Sequence, residues 1–276
     1  MSDPSTNPPP KPRRRRGLVL ATLILVVAAL GWWHRYVEAA YARLAYNFAR
    51  VDSAPDVRYQ PGQEDRAKAV AGMMDDSVQR IESVFDTKLT RPVVYCLRTE
   101  GEYGTYTAAA GSRGSCTVLG EVCLSPKIQG NDAELRGILV HEMTHATVLQ
   151  RIGPWKHLRK VPAWFDEGLA VYVSNGGGAE KVSEAEAREA ILAGKHFDPE
   201  RTGKAYADVF GLSAHMFYRQ AGMFIGHLIK ETPAFVPSIL TELERGLAFP
   251  DAFERAAGQP LPAAWAEFEA SLSAAP

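Results

Sequence analysis

Two histidines four residues apart, His141 and His145, constrain this chain more than any other feature of its sequence. Both fall in residues 132–150, which are predicted to form one helix because a capping residue precedes them and Gly153-Pro154 follows. Residues four apart lie on the same face of a helix, so the two imidazoles point to one place. Glu142 lies one step around the helix, beside that place. The sequence therefore predicts a helix that presents two imidazoles and a carboxylate together.

Metal binding is the chemistry that this arrangement favours. His141-Glu142-Met143-Thr144-His145 has the H-E-x-x-H pattern, in which the histidines bind zinc and the glutamate acts as general base. The alternative is an amphipathic helix whose histidines are satisfied by ordinary hydrogen bonds. The helix does not need its histidines for packing, because it already carries the apolar residues Leu135, Ile138, Leu139 and Leu149. We therefore predict that His141 and His145 bind Zn²⁺.

A catalytic zinc site needs a third protein ligand and a position left for water. The segment Trp164-Phe165-Asp166-Glu167-Gly168-Leu169-Ala170 resembles the W-[FL]-x-E-G-x-A segment of the gluzincins, the zinc peptidases of the thermolysin-like MA clan, and most closely that of the peptidase MA-like family. In that family the glutamate is the third zinc ligand, which implies this role for Glu167. The resemblance runs from about Pro92 to the last residues. It implies a zincin-like fold and hydrolysis of peptide bonds by zinc-activated water, with Glu142 as general base.

The resemblance fails at one position that matters for the metal. Thermolysin-type enzymes carry an aspartate four residues after the ligand glutamate, where it orients a ligand histidine, whereas this chain has Val171 there. Metal-binding histidines need a partner for their second ring nitrogen. We therefore expect another group, such as a backbone carbonyl, to orient His141.

Peptide hydrolysis also requires a hydrogen-bond donor for the negative charge that develops on the attacked carbonyl. In related zinc peptidases a tyrosine or histidine beyond the third ligand supplies it, and the candidates here are Tyr206, His215, Tyr218 and His227. Tyr218 is preferred because the segment from Tyr218 to Phe224 resembles the family's Y-x-Q-[SA]-x-x-F pattern. The alternative for Tyr218 is a place in the core with its hydroxyl bonded. His157, between the two ligand helices, is expected to be exposed.

Residues 17–33 form an uncharged stretch of 17 residues, at the short end of what spans a bilayer as a helix. Arg13–Arg16 precede it, and Trp32 and Trp33 end it, which favours a cytoplasmic N-terminus and a tryptophan-lined opposite interface. The alternative is a cleaved signal peptide, which the bulky end of the stretch disfavours. Either interpretation places residues 34–276 outside the cytoplasm. We predict a single-pass anchor in the cell (inner) membrane, with a periplasmic or extracellular catalytic domain.

The charge distribution argues against nucleic-acid binding. The chain has a net charge of −1, but its first 16 residues are basic and the remainder holds 26 basic and 31 acidic side chains. A nucleic-acid-binding domain needs a basic face on its folded part. The predicted partners are therefore a peptide or protein substrate and, through the N-terminal helix, a membrane. The sequence leaves the oligomeric state open.

Three cysteines, Cys96, Cys116 and Cys123, permit at most one disulfide within the chain. Cys116 and Cys123 flank a short segment that can close as a hairpin, so they are the preferred pair in an oxidising compartment. Cys96 with Cys123, across neighbouring strands, is the alternative.

Apolar periodicity predicts an α+β fold that is mainly helical, with a small mixed sheet before the motif helix. Helices are expected at residues 34–50, 63–85, 132–150, 162–175, 183–193, 211–230, 235–247 and 262–272, strands at 92–97 and within 116–124, and a loop at 101–114. The predicted organisation is a disordered basic tail (1–16), a transmembrane anchor (17–33), a juxtamembrane helix and linker (34–61) and a metallopeptidase domain (62–276).

Two other functions are compatible with these residues. One is a catalytically idle, zinc-containing module that binds a partner in the cell envelope through its cleft. The other is a zinc hydrolase that acts on a non-peptide bond, such as an amide of peptidoglycan. The valine at position 171 favours the first of these, while the presence of every motif residue opposes it.

Overall fold

The computed structural model describes residues 31, 33–108, 111–128, 131–201 and 204–274. Helix α1 covers residues 33–45. The elements that follow are β1 (Ala49–Val51), β2 (Ala54–Tyr59), α2 (Glu64–Phe85), β3 (Val94–Cys96), α3 (Glu100–Thr107), β4 (Gly114–Cys116), β5 (Val122–Leu124), α4 (Asp132–Ile152), α5 (Pro154–Lys160), α6 (Ala163–Val173), α7 (Glu184–Leu192), α8 (Ala214–Glu231), α9 (Phe235–Glu244), α10 (Phe249–Ala257) and α11 (Leu261–Ala274). A 3₁₀ helix at Ala207–Phe210 precedes α8.

The five strands form one mixed sheet in the order β1-β2-β3-β5-β4. The central pairs β2–β3 and β3–β5 are parallel, while β1 and β4 pair antiparallel at the two edges. This confirms the predicted α+β class, with a small mixed sheet ahead of α4. The expected helix to residue 50 was wrong in its last part, because it ends at residue 45 and residues 49–59 form β1 and β2.

Two apolar layers hold the sheet. One face packs against α2 and α4, with Val57, Val94 and Leu124 fully buried in the main core. The other face carries a smaller aromatic cluster to which α3 contributes: Phe48, Tyr95, Leu97, Tyr103, Tyr106 and Cys123. Because α4 lies against the edge strand β4, the sheet places its edge beside the motif helix.

Helix α4 forms where the sequence predicted it, since the side chain of Asn131 accepts hydrogen bonds from the N–H groups of Ala133 and Glu134. The expected stop at Gly153-Pro154 is correct for α4, but the same residues also start α5. Proline lacks the N–H that the first helical turn leaves unbonded, so Pro154 can open a helix as well as end one. Short helices α3 and α10 were also missed.

Helices α6 and α8 approach each other closely at two glycines. A Cβ at Gly168 would lie 2.6 Å from the carbonyl oxygen of Ala221, and one at Gly222 would lie 2.6 Å from Val171 Cγ1. Both distances are shorter than real Cβ contacts, so only glycine fits. Val171 therefore belongs to the seam between α6 and α8, which explains an apolar residue where the family resemblance suggested an aspartate.

Within the described ranges, no helix has both the length and the apolar character needed to cross a bilayer. The predicted anchor at residues 17–33 lies outside the described residues, apart from Gly31 and Trp33.

Cys96, Cys116 and Cys123 are all free thiols, so neither of the two disulfides considered from the sequence is present. The register explains why. Cys123 lies opposite Ser115 on β4 and Tyr95 on β3, one residue away from Cys116 and Cys96 in each case. Neighbouring residues of a strand point to opposite faces, so Cys123 points away from both other cysteines. Burial raises the pKa of Cys96 and of Cys123 to about 12.

Candidate metal centre

Helices α4 and α6 bring three predicted ligands together. The Nε2 atoms of His141 and His145 lie 3.1 Å apart, and Glu167 Oε2 lies 3.4 Å from the first and 3.5 Å from the second. His141 and Glu167 are buried, and His145 is nearly so. These three residues form a group that can hold a metal ion.

The spacing of the three donor atoms fits a small tetrahedral ion. An ion about 2.0–2.1 Å from each donor in tetrahedral geometry holds the donors about 3.3–3.4 Å from one another. The observed separations of 3.1, 3.4 and 3.5 Å lie close to that value. The donor atoms therefore need only small shifts to bind such an ion, and a fourth position is left.

His141 is oriented by a backbone carbonyl, as expected. Its Nδ1 lies 2.9 Å from the carbonyl oxygen of Gly177, which also accepts a hydrogen bond from Ser174 Oγ at 3.3 Å. A proton on Nδ1 that is donated to this carbonyl leaves the Nε2 lone pair directed at the other ligands. The Gly176-Gly177-Gly178 turn is fixed by Glu180, whose carboxylate accepts from the N–H of Gly178 at 2.8 Å.

His145 is oriented by a carboxylate. Its Nδ1 lies 3.2 Å from Oδ1 of Asp166, the residue directly before the ligand Glu167. The second oxygen of Asp166 lies 2.8 Å from His157 Nε2 and 3.0 Å from Lys204 Nζ. Asp166 is buried, so these two cationic or polar neighbours offset the cost of burying its charge. Carboxylate support of this kind makes a histidine a more basic metal ligand.

The charges of the site are arranged to receive a cation. Burial alone would raise the pKa of Glu167, but the two ligand histidines outweigh it and hold that pKa at about 2. Burial would likewise raise the pKa of Asp166, which His145, His157 and Lys204 instead lower well below its usual value. Burial lowers the pKa of His145, but Asp166 and Glu167 raise it well above the usual value. Two ionised carboxylates thus favour the protonated, positively charged form of His145 in the metal-free site. A metal ion bound at the ligands would supply positive charge in place of that proton.

Glu142 lies beside the ligands on α4 and is buried. Burial raises the pKa of its carboxyl group, with smaller opposing effects from His141 and His145 and from a hydrogen bond to the N–H of Cys116. Strand β4 approaches this carboxyl so closely that a Cβ at Gly114 would lie 2.7 Å from Glu142 Cγ. A larger residue at position 114 would therefore displace the side chain of Glu142, and the edge strand and the carboxylate face the same space.

A cavity of about 800 Å³ opens over the three ligands. Three of the four oxyanion-donor candidates line it, namely Tyr206, His215 and Tyr218. Burial and the nearby charge of Glu167 raise the pKa of Tyr218. His227 instead packs its ring 5.5 Å from that of Phe268. Tyr218 therefore reaches the ligand cluster directly, and its role as donor stays a prediction.

The sequence missed the groups that support the ligands. His157 was expected to be exposed, but α5 turns it inward so that only 18% of its side chain is accessible. Lys204 reaches Asp166 from 38 residues away, and Gly177 reaches His141 from 36 residues away. Asp166 is the one residue whose sequence position suggests such a supporting role, because it is acidic and lies beside Glu167 in an otherwise apolar helix.

No protein-family model matches this chain, and neither do any of the curated proteins or solved structures with which it was compared.

Proposed function

We propose that this chain is a membrane-anchored, zinc-dependent peptidase. The observation that carries the proposal is the cluster of His141, His145 and Glu167, whose donor atoms have the mutual spacing of a tetrahedral zinc site and lie beside Glu142. The nitrogen and carboxylate donors are those of catalytic zinc sites with two histidines and one glutamate. The apolar stretch at residues 17–33 supports the anchor.

The edge strand supports a peptide as the substrate. Arg113 and Thr117 bond to the β5 side of β4, so Gly114 and Cys116 direct their backbone groups to the other side, where the cavity lies. An extended peptide can add to such an edge through main-chain hydrogen bonds. The N–H of Cys116 is shared with Glu142, which would bring a bound peptide next to the carboxylate.

The proposed roles follow from these positions. His141, His145 and Glu167 would hold a zinc ion, which would supply Lewis acidity toward a water molecule and the scissile carbonyl. Glu142, buried beside the ligands, accepts the proton of the attacking water and passes it to the departing amine. Tyr218 donates a hydrogen bond to the oxygen that gains negative charge.

Metal analysis and cleavage assays of three full-length variants test this function. Wild type is expected to contain about one zinc per chain and to cleave an unstructured protein substrate. Glu142→Gln should keep the zinc and lose at least about 10³-fold in activity, whereas Tyr218→Phe should lose about 10²-fold. Glu184→Gln, which changes an exposed glutamate on α7, is the matched control and should behave as wild type.

Two results would overturn the proposal. One is purified wild type that contains no zinc and takes none up. The other is a Glu142→Gln variant that retains zinc together with full cellular function, which would favour the idle binding module. Cleavage confined to non-peptide amides would instead favour the other zinc hydrolase.

A further inference from the structure

Helix α1 carries an apolar stripe on its outward face. Trp33, Val37, Tyr41 and Leu44 are spaced by four, four and three residues, so they share one face, and they are 48–77% exposed. The opposite face carries Ala39 and Arg43, which are both buried against the domain. The α1 stripe, as we call these four side chains, is therefore an unpartnered apolar surface on a helix that is otherwise packed in place.

The inner face of α1 connects this stripe to the cavity. Arg43 donates to Glu121 at 2.9 Å and to the carbonyl oxygen of Tyr106, which fixes the helix beside the β4–β5 turn. Tyr36 directly precedes Val37 of the stripe in the sequence, but its side chain lines the cavity over the metal ligands. Helix α1 thus contributes Tyr36 to the wall of the cavity.

A second exposed apolar set lies on three elements that each contribute residues to the cavity lining. It comes from the β4–β5 turn, from α5 and from the 3₁₀ helix region, and we call it the mouth collar: Val118, Leu119, Trp155, Leu158, Tyr206 and Val209. Val118, Leu158 and Tyr206 also line the cavity. The turn meets the end of α4, since a Cβ at Gly120 would lie 3.4 Å from Gln150 Cγ, and α5 begins only four residues after Gln150.

The two sets contain nearly all of the large apolar side chains that the described part of the molecule exposes. Among those residues, Tyr46 and Leu192 are the exposed large apolar side chains outside them. Scattered single apolar residues are normal on a protein surface, but a contiguous patch marks an interaction site. Exposed apolar surface is thus concentrated on α1 and on the elements that line the cavity.

The chain that precedes α1 identifies what covers this surface. Residue 33 ends the uncharged 17-residue stretch that follows Arg13–Arg16, so no linker separates that apolar stretch from α1. If the stretch enters a bilayer, α1 begins at the bilayer surface. Composition agrees, because tryptophan and tyrosine favour the membrane interface. Arg159 lies beside the collar, with its guanidinium carbon 5.6 Å from the centre of the Trp155 ring, and an arginine can pair with lipid phosphates.

We propose that the α1 stripe and the mouth collar lie on the membrane surface, so that the cavity opens toward the lipid headgroups. This rests on the membrane anchorage proposed above, but not on the peptidase chemistry. Together with the peptidase function proposed above, this orientation would make the substrates protein segments held close to the membrane, such as the juxtamembrane parts of other anchored proteins.

Spin-label accessibility in vesicles tests this orientation with the full-length chain. Nitroxide labels are placed at Leu119→Cys and Trp155→Cys, which are 60% and 67% exposed, and at Leu192→Cys, which is 48% exposed and lies outside both sets. All three variants carry Cys116→Ser, because Cys96 and Cys123 are fully buried but Cys116 is only partly so. The chain is reconstituted into vesicles of phosphatidylcholine and phosphatidylglycerol.

The expected result is that labels at 119 and 155 collide more with oxygen, which concentrates in lipid, than with a water-soluble nickel chelate. The label at 192 should show the reverse. Equal, water-like accessibility at all three positions would overturn the proposal. So would strong dipolar broadening between labels at 119 without a rise in oxygen collisions, since that result would mean that a second copy of the chain covers the collar.

The labelling experiment tests the membrane orientation independently of the proposed peptidase activity. Zinc content and cleavage of a soluble substrate are measured on the same samples and do not depend on how the cavity faces the membrane. Loss of the chain from the vesicles after an alkaline wash would contradict the anchor, whereas water-like labels on a retained chain contradict the orientation alone.

Discussion

The two histidine ligands lie one helical turn apart on α4 but are supported by different chemistry. His141 donates to a neutral acceptor, the carbonyl oxygen of Gly177, at the end of a glycine turn. His145 faces a buried carboxylate, Asp166, which is itself held by His157 and Lys204. One support is a matter of backbone position, and the other is a matter of charge.

This difference determines what each support is sensitive to. The carbonyl of Gly177 can be displaced only by moving the backbone, so steric changes in the glycine turn should affect His141. Asp166 acts through its charge as well as its position, so neutralisation should affect His145 even when the shape is kept. The following predictions use that contrast, in order of decreasing expected effect.

Asp166→Asn should have the largest effect. The amide oxygen can still accept the Nδ1–H of His145, but the charge is lost and Lys204 is left beside it without its partner. Removing one member of a buried ion pair costs about 3 kcal/mol, and removing the support of a metal-bound histidine costs about 10–100-fold in metal affinity. Urea unfolding of the metal-free protein and zinc titration measure the two effects.

The matched control for this variant is Asp208→Asn, which neutralises an exposed aspartate in the 3₁₀ helix. It should change the free energy of unfolding by no more than about 0.5 kcal/mol and leave zinc affinity unchanged. Equal behaviour of the two variants would mean that the charge of Asp166 has no part in supporting His145.

Gly177→Ala should have the next largest effect, through sterics alone. Its new Cβ would lie 2.4 Å from the carbonyl oxygen of Gly137 on α4, a backbone atom that cannot move aside. The turn must shift, which takes the carbonyl away from His141. We expect a loss of about 1–3 kcal/mol in the free energy of unfolding and about tenfold in zinc affinity.

Gly72→Ala serves as the control, because a Cβ at this helical glycine meets nothing within 4 Å. Alanine there should stabilise α2 by roughly 0.5–1 kcal/mol and leave zinc binding unchanged. If Gly177→Ala binds zinc as tightly as wild type, the carbonyl of Gly177 is not what orients His141.

How far the sequence predicted this site depends on whether a contact is local. The turn of α4 that brings His141 and His145 together follows from residues 131–150 alone, and the α+β class follows from apolar periodicity. Glu167 was identified through a resemblance, and the structure places it within reach of both histidines. The glycine turn and the cluster around Asp166 depend on tertiary packing of α5, α6 and residue 204. No local pattern could indicate them, and His157 was misjudged for the same reason.

The pH dependence of zinc binding should also distinguish the two supports. Asp166 and Glu167 raise the pKa of His145 above its usual value in the metal-free protein. Zinc must displace that proton, so the apparent affinity falls about tenfold per pH unit below this pKa. In Asp166→Asn the pKa of His145 is lower, and this proton competition should begin at a lower pH.

Zinc titrations between pH 5 and 9 measure this difference. As the pH is lowered, the dissociation constant Kd for zinc is constant at first and then rises, and the pH at which the rise begins is the quantity compared. Gly177→Ala should shift Kd at every pH without moving that point. A shifted point in Gly177→Ala, or an unshifted one in Asp166→Asn, would contradict the assignment of charge to one support and position to the other.

The smallest effect is expected for His157→Gln. The glutamine amide can donate to the carboxylate of Asp166 and Lys204 remains 3.0 Å away, so zinc affinity should fall by no more than about threefold and stability by less than about 1 kcal/mol. Lys204→Met should be similarly mild, because His157 remains. The double variant changes both groups that contact Oδ2 of Asp166 and should lose more than the sum of the single losses, as coupled neighbours do. Strictly additive losses would mean that Asp166 is fixed by its place on α6 alone, and the charged support of His145 would then be as much a product of backbone position as the carbonyl that supports His141.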